Sequence, residues 1–363
     1  MTRIWFDVLT PKQALFCQKI AERFKVANFE PVFTTRDYKQ VVGKLDLLGM
    51  KAEIIGKHGG AGRYEKLLAS AERIVALTKY INDVKPDLAF GFASPESARV
   101  AYGLGIPYYT GNDSPHSHFV AQLTIPYAIM LFTPWIMEKA WHQLDVPPKK
   151  IITYHGLDPF AWLQDFKPNT TILRDLDLEP GSDYVIIRPE EAQASYLHGL
   201  ADELRPVTNP VIHQILQSFP DLPIVVLCRY KAQQEVMRKQ FRNKIILPEN
   251  VLDAASLLAS ACLFVGAGGT MNQEAGILGT PVISCYPGRE LITEQFLMKK
   301  KLLYRFSDPS IAIRKAISIL EKKSHYQKLH SKRAQKLRDE MENPVEVINN
   351  RILAHYNKTQ ENA

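Results

Sequence analysis

The sequence predicts an α/β protein made of two doubly wound, Rossmann-like domains that face a cleft, followed by C-terminal helices. Short apolar runs alternate with segments of helical period through most of the 363 residues. This alternation pauses at residues 165–181, which contain two prolines, an asparagine and a glycine, and then restarts. Strand–helix alternation is typical of parallel sheets covered on both faces, and a chain of this length is expected to form two domains.

The first half contains seven apolar runs that predict strands. They cover residues 3–8, 30–34, 53–55, 88–92, 107–110, 128–132 and 150–154. The helical periods between them cover residues 13–25, 37–48, 64–84 and 95–104. Thr10 and Pro11 fit the N-cap and first position of the first helix, and Ser94 fits the N-cap of the fourth.

The second half repeats this pattern. Its predicted strands cover residues 184–188, 224–228, 244–247, 263–266 and 282–285. Its predicted helices cover residues 211–219, 233–241, 254–259, 270–277, 309–321, 326–341 and 344–356. We therefore expect an N-terminal domain at 1–165, a C-terminal domain at 166–325, and C-terminal helices at 326–357. Whether those helices pack back on the N-terminal domain is left open.

Composition narrows the class of ligand. Hydrophobic residues make up 46% of the chain and charged residues 23%, as in ordinary folded proteins. The net charge of +7 suits an anionic ligand, and no Lys/Arg run with interleaved aromatic residues indicates nucleic-acid binding. The four cysteines form no C-x-x-C pair, so we expect buried free thiols, no metal and no cofactor.

The N-terminus lacks a signal-peptide pattern, so we expect a cytoplasmic protein. The most apolar stretch, residues 123–137, is interrupted by Pro126 and Pro134 and is too short to span a bilayer. With Trp135 and Trp141 it could form a patch peripheral to the inner face of the membrane, for a lipid-linked acceptor. A buried strand followed by a helix is the interpretation that we favour.

A glycine-rich segment between Gly266 and Glu274 carries the best functional signal. A buried strand ends at Gly266, and glycines at 268 and 269 let the backbone approach a ligand closely. Thr270 then begins a helix, whose free N–H groups and dipole favour an anion. Glu274 lies about one turn into that helix, where its carboxylate can accept hydrogen bonds from a ribose diol. A tight turn without a ligand is the alternative.

This segment resembles the donor-binding region of GT-B proteins, in particular the UDP-N-acetylglucosamine 2-epimerases and the N-acetylglucosaminyltransferase that completes the lipid-linked peptidoglycan precursor. The whole chain resembles a prokaryotic, largely archaeal family known as domain of unknown function 354, which is assigned to the GT-B superfamily. The likeness is carried by Asp7–Gln13, Thr34–Tyr38, Gly56–Gly60, Gly111–Asp113 and Gly266–Thr270.

The resemblance implies that Gly268, Gly269 and Thr270 hold a diphosphate and that Glu274 holds the ribose. It also implies a diphosphate contact for Arg188, although a salt bridge from Arg188 to one of the neighbouring glutamates would explain that residue equally well. Four side chains after the next strand offer groups that suit a sugar or phosphate: Arg289, Glu290, Glu294 and Gln295. For Glu294 and Gln295 the alternative is a solvent-facing position on a helix.

In the first half, polar residues follow two strands and are candidates for catalysis. Asp113 is the favoured general base, with a turn residue before Ser-Pro as its alternative. His116 could complete an acid–base pair, and Glu96 lies in the first turn of a helix that follows another strand. Lys12 could reach an anionic acceptor.

Three functions remain open from the sequence. The first is a glycosyltransferase that binds a nucleotide-diphosphate sugar between its domains and transfers the sugar to an acceptor that is lipid-linked or a glycan. The second is a 2-epimerase like those that act on UDP-N-acetylglucosamine. The third is a non-catalytic nucleotide-sugar-binding protein. None of these requires a nucleic acid, and the chain could be a monomer or a homodimer.

Overall fold

The computed structural model describes residues 2–60, 62–191, 202 and 204–362. They form two compact units. Unit 1 comprises Met1–Trp162 and Glu342–Ala363, and unit 2 comprises Leu163–Met341. Each unit has one parallel sheet with helices packed against it, so the predicted α/β class is confirmed.

Unit 1 contains a seven-stranded sheet in the order β3-β2-β1-β4-β5-β6-β7. Its strands are β1 (Thr2–Asp7), β2 (Phe29–Asp37), β3 (Glu53–Lys57), β4 (Leu88–Phe92), β5 (Tyr108–Gly111), β6 (Met130–Pro134) and β7 (Ile151–Tyr154). Its helices before the second unit are α1 (Pro11–Val26), α2 (Lys39–Leu47), α3 (Arg63–Val84), α4 (Pro95–Gly103), α5 (His118–Gln122), α6 (Glu138–His142) and α7 (Phe160–Leu163). All seven predicted strands of this half are confirmed.

Unit 2 contains a five-stranded sheet in the order β12-β11-β10-β8-β9. Its strands are β8 (Val185–Arg188), β9 (Ile224–Val226), β10 (Leu263–Gly266), β11 (Val282–Ser284) and β12 (Tyr304–Arg305). Its helices are α8 (Asn209–Ser218), α9 (Lys231–Phe241), α10 (Ala254–Ser260), α11 (Thr270–Leu278), α12 (Ile292–Lys299), α13 (Pro309–Glu321) and α14 (Lys323–Glu340).

The predicted strand at residues 244–247 is wrong. Only Ile246 pairs with the sheet, through a single bridge to Val225. Residues Arg242–Lys244 form a turn of 3₁₀ helix before it. Pro248, which has no N–H to donate, follows closely and limits further pairing.

In both units the strand order reverses at one place, and ligands in such sheets bind beyond the carboxyl ends of strands at that reversal. In unit 1 the reversal lies between β1 and β4, and in unit 2 it lies between β8 and β10. The glycine-rich segment follows β10, so the sheet order places it at the reversal of unit 2.

The C-terminal helices are divided between the units. Helix α14 belongs to unit 2, where Arg338 donates to the carbonyl of Ile277 at 2.6 Å. The final helix, α15 (Pro344–Glu361), belongs to unit 1, where Asn349 donates to the carbonyl of Ile20 at 3.2 Å. This helix continues beyond residue 356, where the sequence pattern predicted its end.

The apolar stretch at residues 123–137 forms strand β6, and many of its side chains are buried. This agrees with the interpretation favoured from the sequence, a buried strand followed by a helix. Trp141 is fully buried and donates to the Thr133 hydroxyl at 2.9 Å, whereas Leu123 remains exposed at one end of the stretch. Among the described helices, none combines the length and apolarity needed to cross a membrane. The four cysteines are free thiols, and all but Cys228 are buried.

A buried ion pair organises the carboxyl edge of the unit 1 sheet. Asp7, the last residue of β1, accepts hydrogen bonds from both terminal nitrogens of Arg73, at 2.6 and 3.0 Å. The hydroxyls of Thr34 and Ser94 also donate to it, each at 2.7 Å. Burial alone would raise the pKa of Asp7, but Arg73 and the hydroxyls hold it below its usual value.

We expect Asp7→Asn to lower the free energy of unfolding of unit 1 by about 3–5 kcal/mol, because Arg73 would keep an uncompensated buried charge. Glu30→Gln is the matched control, since it removes the carboxylate of the exposed Arg3–Glu30 pair. Loss of that pair should change stability by only about 0–1 kcal/mol. Urea unfolding of the full chain measures both, and equal losses would contradict the role given to Asp7.

Candidate functional site

The glycine-rich turn of unit 2 has a backbone shape that depends on its glycines. Gly268 and Gly269 have φ angles of +88° and +90°, a region that other residues rarely adopt. A Cβ added to Gly268 would lie 2.5 Å from the Tyr286 ring, and one added to Gly266 would lie 2.1 Å from Oδ1 of Asn272. The turn is therefore packed closely on its inner side and has no room for a side chain at Gly266 or Gly268.

The N-terminus of α11 is available to an anion. Gly269 is its N-cap residue, no side chain caps the helix, and its first turn contains no acidic residue. Gly269 is exposed and Thr270 is partly exposed. The first N–H groups of a helix have no intrahelical partner, so this end of α11 presents donors and a positive dipole at the reversal of the sheet.

Two arginines lie at the adjacent strand ends. The carbonyl of Arg188, the last residue of β8, accepts from the N–H of Ala267 at 3.1 Å, which joins β8 to the glycine-rich turn. Its guanidinium donates to the carbonyl of Leu227 at 2.7 Å. Arg229 pairs with Glu191 at 3.1 Å, and one of its terminal nitrogens lies 3.6 Å from the Cβ position of Gly269.

The other side chains that were expected around a nucleotide sugar differ in how far they are exposed to solvent. Glu274 is buried in the second turn of α11, with 4% of its surface exposed. Arg289 and Glu290 are exposed after β11, and Gln295 donates to Glu290 at 2.9 Å. These positions leave Arg289, Glu290 and Gln295 accessible to a ligand.

Glu294 is used inside unit 2. Its carboxylate is fully buried, accepts from the Ser284 hydroxyl and from Asn272 at 3.1 Å, and pairs with Arg305 at 3.3 Å. Burial raises its pKa, while these partners oppose that effect. The network connects α12 to α11 and to the end of β11. We therefore leave Glu294 out of the proposed sugar contacts.

In unit 1, one lysine joins two carboxylates at the carboxyl edge of the sheet. The ammonium of Lys12 lies 2.7 Å from Asp113 and 2.6 Å from Asp158, and 4.3 Å from the centre of the Phe92 ring. The Tyr154 hydroxyl donates to Asp158. Because Lys12 already balances two carboxylates, it is poorly suited to the anionic acceptor expected from the sequence.

The two carboxylates of this cluster differ in their environment. Asp158 has no exposed side-chain surface, and burial raises its pKa to about 6 against the opposing effect of Lys12. Asp113 keeps 10% exposure. Burial would raise its pKa as well, but Lys12 and the Ser114 hydroxyl hold it below its usual value. Pairs of acids whose pKa values are pushed apart are typical of acid–base sites.

Asp113 does not make the turn that was its alternative explanation. Asn112 makes that turn, since its side-chain oxygen accepts from the N–H of Ser114 at 2.8 Å. His116 is exposed beside Asp113 and contributes to lowering the pKa of its carboxyl. Glu96 lies elsewhere on the edge, where its charge acts on Arg36 and Arg73.

Two residues of these sites were missed in the sequence. Arg229 comes three residues after β9, and Asp158 four residues after β7. Their positions after strands are the signal that could have found them, because the carboxyl ends of parallel strands collect at one edge. Pairing of Lys12 with Asp158 joins residues far apart in the chain, which no local pattern encodes.

The chain belongs to the DUF354 family, described as protein of unknown function, whose model matches residues 2–356. An uncharacterized protein of Methanocaldococcus jannaschii is 32% identical over 311 residues, which cover 84% of this chain and 88% of that protein. The family expected from the sequence is thereby confirmed.

Solved structures establish the fold more widely. The UDP-GlcNAc 2-epimerase from Neisseria meningitidis, bound to UDP-GlcNAc, has a TM-score of 0.72 at 16% identity, covering 97% of this chain and 100% of its own. The glycotransferase of kitacinnamycin has a TM-score of 0.56 at 13% identity, covering 93% and 94%. The chain thus has the predicted GT-B-like fold, which both epimerases and glycosyltransferases share.

We expect Gly268→Ala to destabilise unit 2 by about 1–3 kcal/mol more than Gly181→Ala, because only the first methyl group would overlap Tyr286. The two glycines have φ angles of +88° and +87°, and a Cβ at Gly181 would meet nothing within 4 Å. Urea unfolding of the two variants separates the backbone cost, which both share, from the packing cost. Equal losses would mean that the tight packing of the turn contributes little.

Proposed function

We propose that the chain is a glycosyltransferase that binds a nucleotide-diphosphate sugar on unit 2. The uncapped N-terminus of α11, at the strand reversal, is the observation that carries this proposal. Its backbone donors suit the diphosphate, Arg188 adds positive charge at the adjacent strand end, and Arg229, which pairs with Glu191, lies beside Gly269. Gly268, Gly269 and Thr270 form the contact surface, and Glu274 is the proposed ribose ligand.

Charge development in the reaction supports this assignment. Transfer breaks the bond between the sugar C1 and the diphosphate oxygen, and forms a bond from C1 to the acceptor oxygen. The departing nucleoside diphosphate gains negative charge, which fixed N–H groups and arginines stabilise without a metal. Arg289, Glu290 and Gln295 are the proposed contacts to the sugar.

The acceptor hydroxyl must lose its proton during transfer, and Asp113 is the proposed base. It is ionised at neutral pH because Lys12 lowers its pKa, and it keeps some exposure to a ligand. His116, an exposed neighbour whose charge acts on Asp113, is the proposed relay of that proton to solvent. Asp158 and Tyr154 position Lys12, and through it Asp113.

Epimerisation at the sugar C2 is the second candidate, and one observation favours it. Removing and replacing a proton on carbon calls for a base and an acid, and the two carboxylates differ in the required sense: burial raises the pKa of Asp158 to about 6, whereas Lys12 holds that of Asp113 below its usual value. Lys12 contacts both carboxylates and would connect the two roles.

One experiment tests both candidates. The full chain is incubated in D₂O with UDP-, GDP- and CDP-sugars, while NMR follows release of the nucleoside diphosphate and deuterium at the sugar C2. Transfer predicts slow release of the nucleoside diphosphate to water without deuterium at C2, whereas epimerisation predicts deuterium at C2. We expect Asp113→Asn to reduce turnover by about 10²–10⁴-fold, with nucleotide affinity unchanged.

Asp83→Asn is the control, since Asp83 is an exposed residue of α3 in the same unit. It should leave turnover and affinity unchanged. Calorimetry with each nucleotide measures affinity separately. The proposal fails if no nucleotide binds at millimolar concentration, and the role of Asp113 fails if its variant keeps full turnover.

A further inference from the structure

A second group of polar and charged residues lies at the carboxyl ends of β2 and β3 in unit 1. Arg36 is the next-to-last residue of β2, and its Nε–H is buried and donates to none of the described residues. Buried N–H groups in proteins are nearly always paired. An unpaired guanidinium donor at the ligand-binding edge of a sheet therefore marks a place for an acceptor from outside the chain.

His58 supplies a second donor at the same place. It follows β3, its ring stacks on Tyr38 with centroids 4.7 Å apart, and its Nδ1 accepts from the N–H of Gly60 at 3.1 Å. A neutral ring whose Nδ1 accepts must carry its proton on Nε2. Burial, together with the charges of Arg36 and Lys66, lowers the pKa of His58 to about 4, so the ring is neutral at pH 7.

Arg73, Asp7 and Glu96 are the formal charges that act on Arg36, and together with Arg36 they sum to zero. Arg73 and Asp7 neutralise each other in their buried pair. Glu96 is the remaining carboxylate that acts on Arg36, and it is 7% exposed in the first turn of α4. Within the described residues no ion pair joins Glu96 to Arg36, so both groups keep capacity for a ligand.

We propose that Arg36 and His58 bind the phosphate of a phosphate ester, and that Glu96 accepts a hydrogen bond from a hydroxyl of the same molecule. A guanidinium and an imidazole N–H suit phosphate oxygens, and a carboxylate beside them suits an alcohol rather than a second anion. If the chain is the transferase proposed above, this molecule is the acceptor of the sugar. The acceptor is then a phosphorylated polyol or sugar, either free or as a lipid headgroup.

The test follows the ring signals of His58 in the full chain labelled with ¹⁵N-histidine, with the signal assigned from His58→Gln. Glycerol 3-phosphate is the probe. We expect a saturable shift of the His58 signal, and a dissociation constant at least roughly tenfold higher in Arg36→Gln, since one charge-assisted contact is lost. Arg351→Gln removes an exposed arginine of α15 in the same unit and should bind as the unchanged chain does.

Arg36→Lys keeps the positive charge and should bind with an intermediate affinity. The site is contradicted if millimolar glycerol 3-phosphate leaves the His58 signal unshifted, if Arg36→Gln binds as the unchanged chain does, or if Arg36→Lys binds no better than Arg36→Gln. The histidine signals outside the site report whether each variant is folded.

Vesicles distinguish the two sources of the phosphate. Loss of the His58 signal with phosphatidylglycerol vesicles, but not with phosphatidylcholine vesicles, would identify a lipid headgroup. A response to glycerol 3-phosphate alone would identify a free ester. Because the signal belongs to unit 1, a chain that binds glycerol 3-phosphate but no nucleotide would keep this site while the proposed transferase function failed.

Discussion

The carboxylate of Asp7 is the constraint on which unit 1 depends. A charged group at the end of a buried strand is costly unless every lone pair has a donor. Arg73 from α3 and the hydroxyls of Thr34 and Ser94 provide those donors. Arg73 also donates to the carbonyl of Ile55, which connects the same network to β3. One carboxylate thus fixes the relative positions of the strand ends that carry the remaining polar residues.

The charged side chains at the strand ends of unit 1 therefore differ in how well they could bind an anionic ligand. Arg73 and Lys12 are neutralised by carboxylates of the same unit, so they stabilise the edge and contribute little to anion binding. Arg36 has no such partner among the described residues. In unit 2 the corresponding edge is shaped by glycines, and it offers backbone N–H groups at the start of α11. The two units thus present different chemistry on the same type of edge.

Local sequence patterns predicted most of the fold, because β–α alternation, capping residues and glycine turns act over short distances. Thr10 caps α1 through the N–H of Gln13, as expected. The pattern failed at residues 244–247, where an apolar run forms only one bridge. It could not place Glu294, since an acidic residue near a helix start looks exposed until Ser284, Asn272 and Arg305 are seen around it.

In the candidate sites too, some features follow from local sequence and others do not. The glycine-rich turn could be located from sequence because its backbone demands specific residues, whereas the pairing of Lys12 with Asp158 and the position of Arg229 beside Gly269 depend on contacts between distant segments.

A crystal structure of the chain grown with UDP tests the central claim most directly. The account predicts diphosphate oxygens within hydrogen-bond distance of the backbone N–H groups of Gly269 and Thr270, with a guanidinium of Arg188 or Arg229 beside them. UDP bound elsewhere, or a turn without density at saturating UDP, would contradict it.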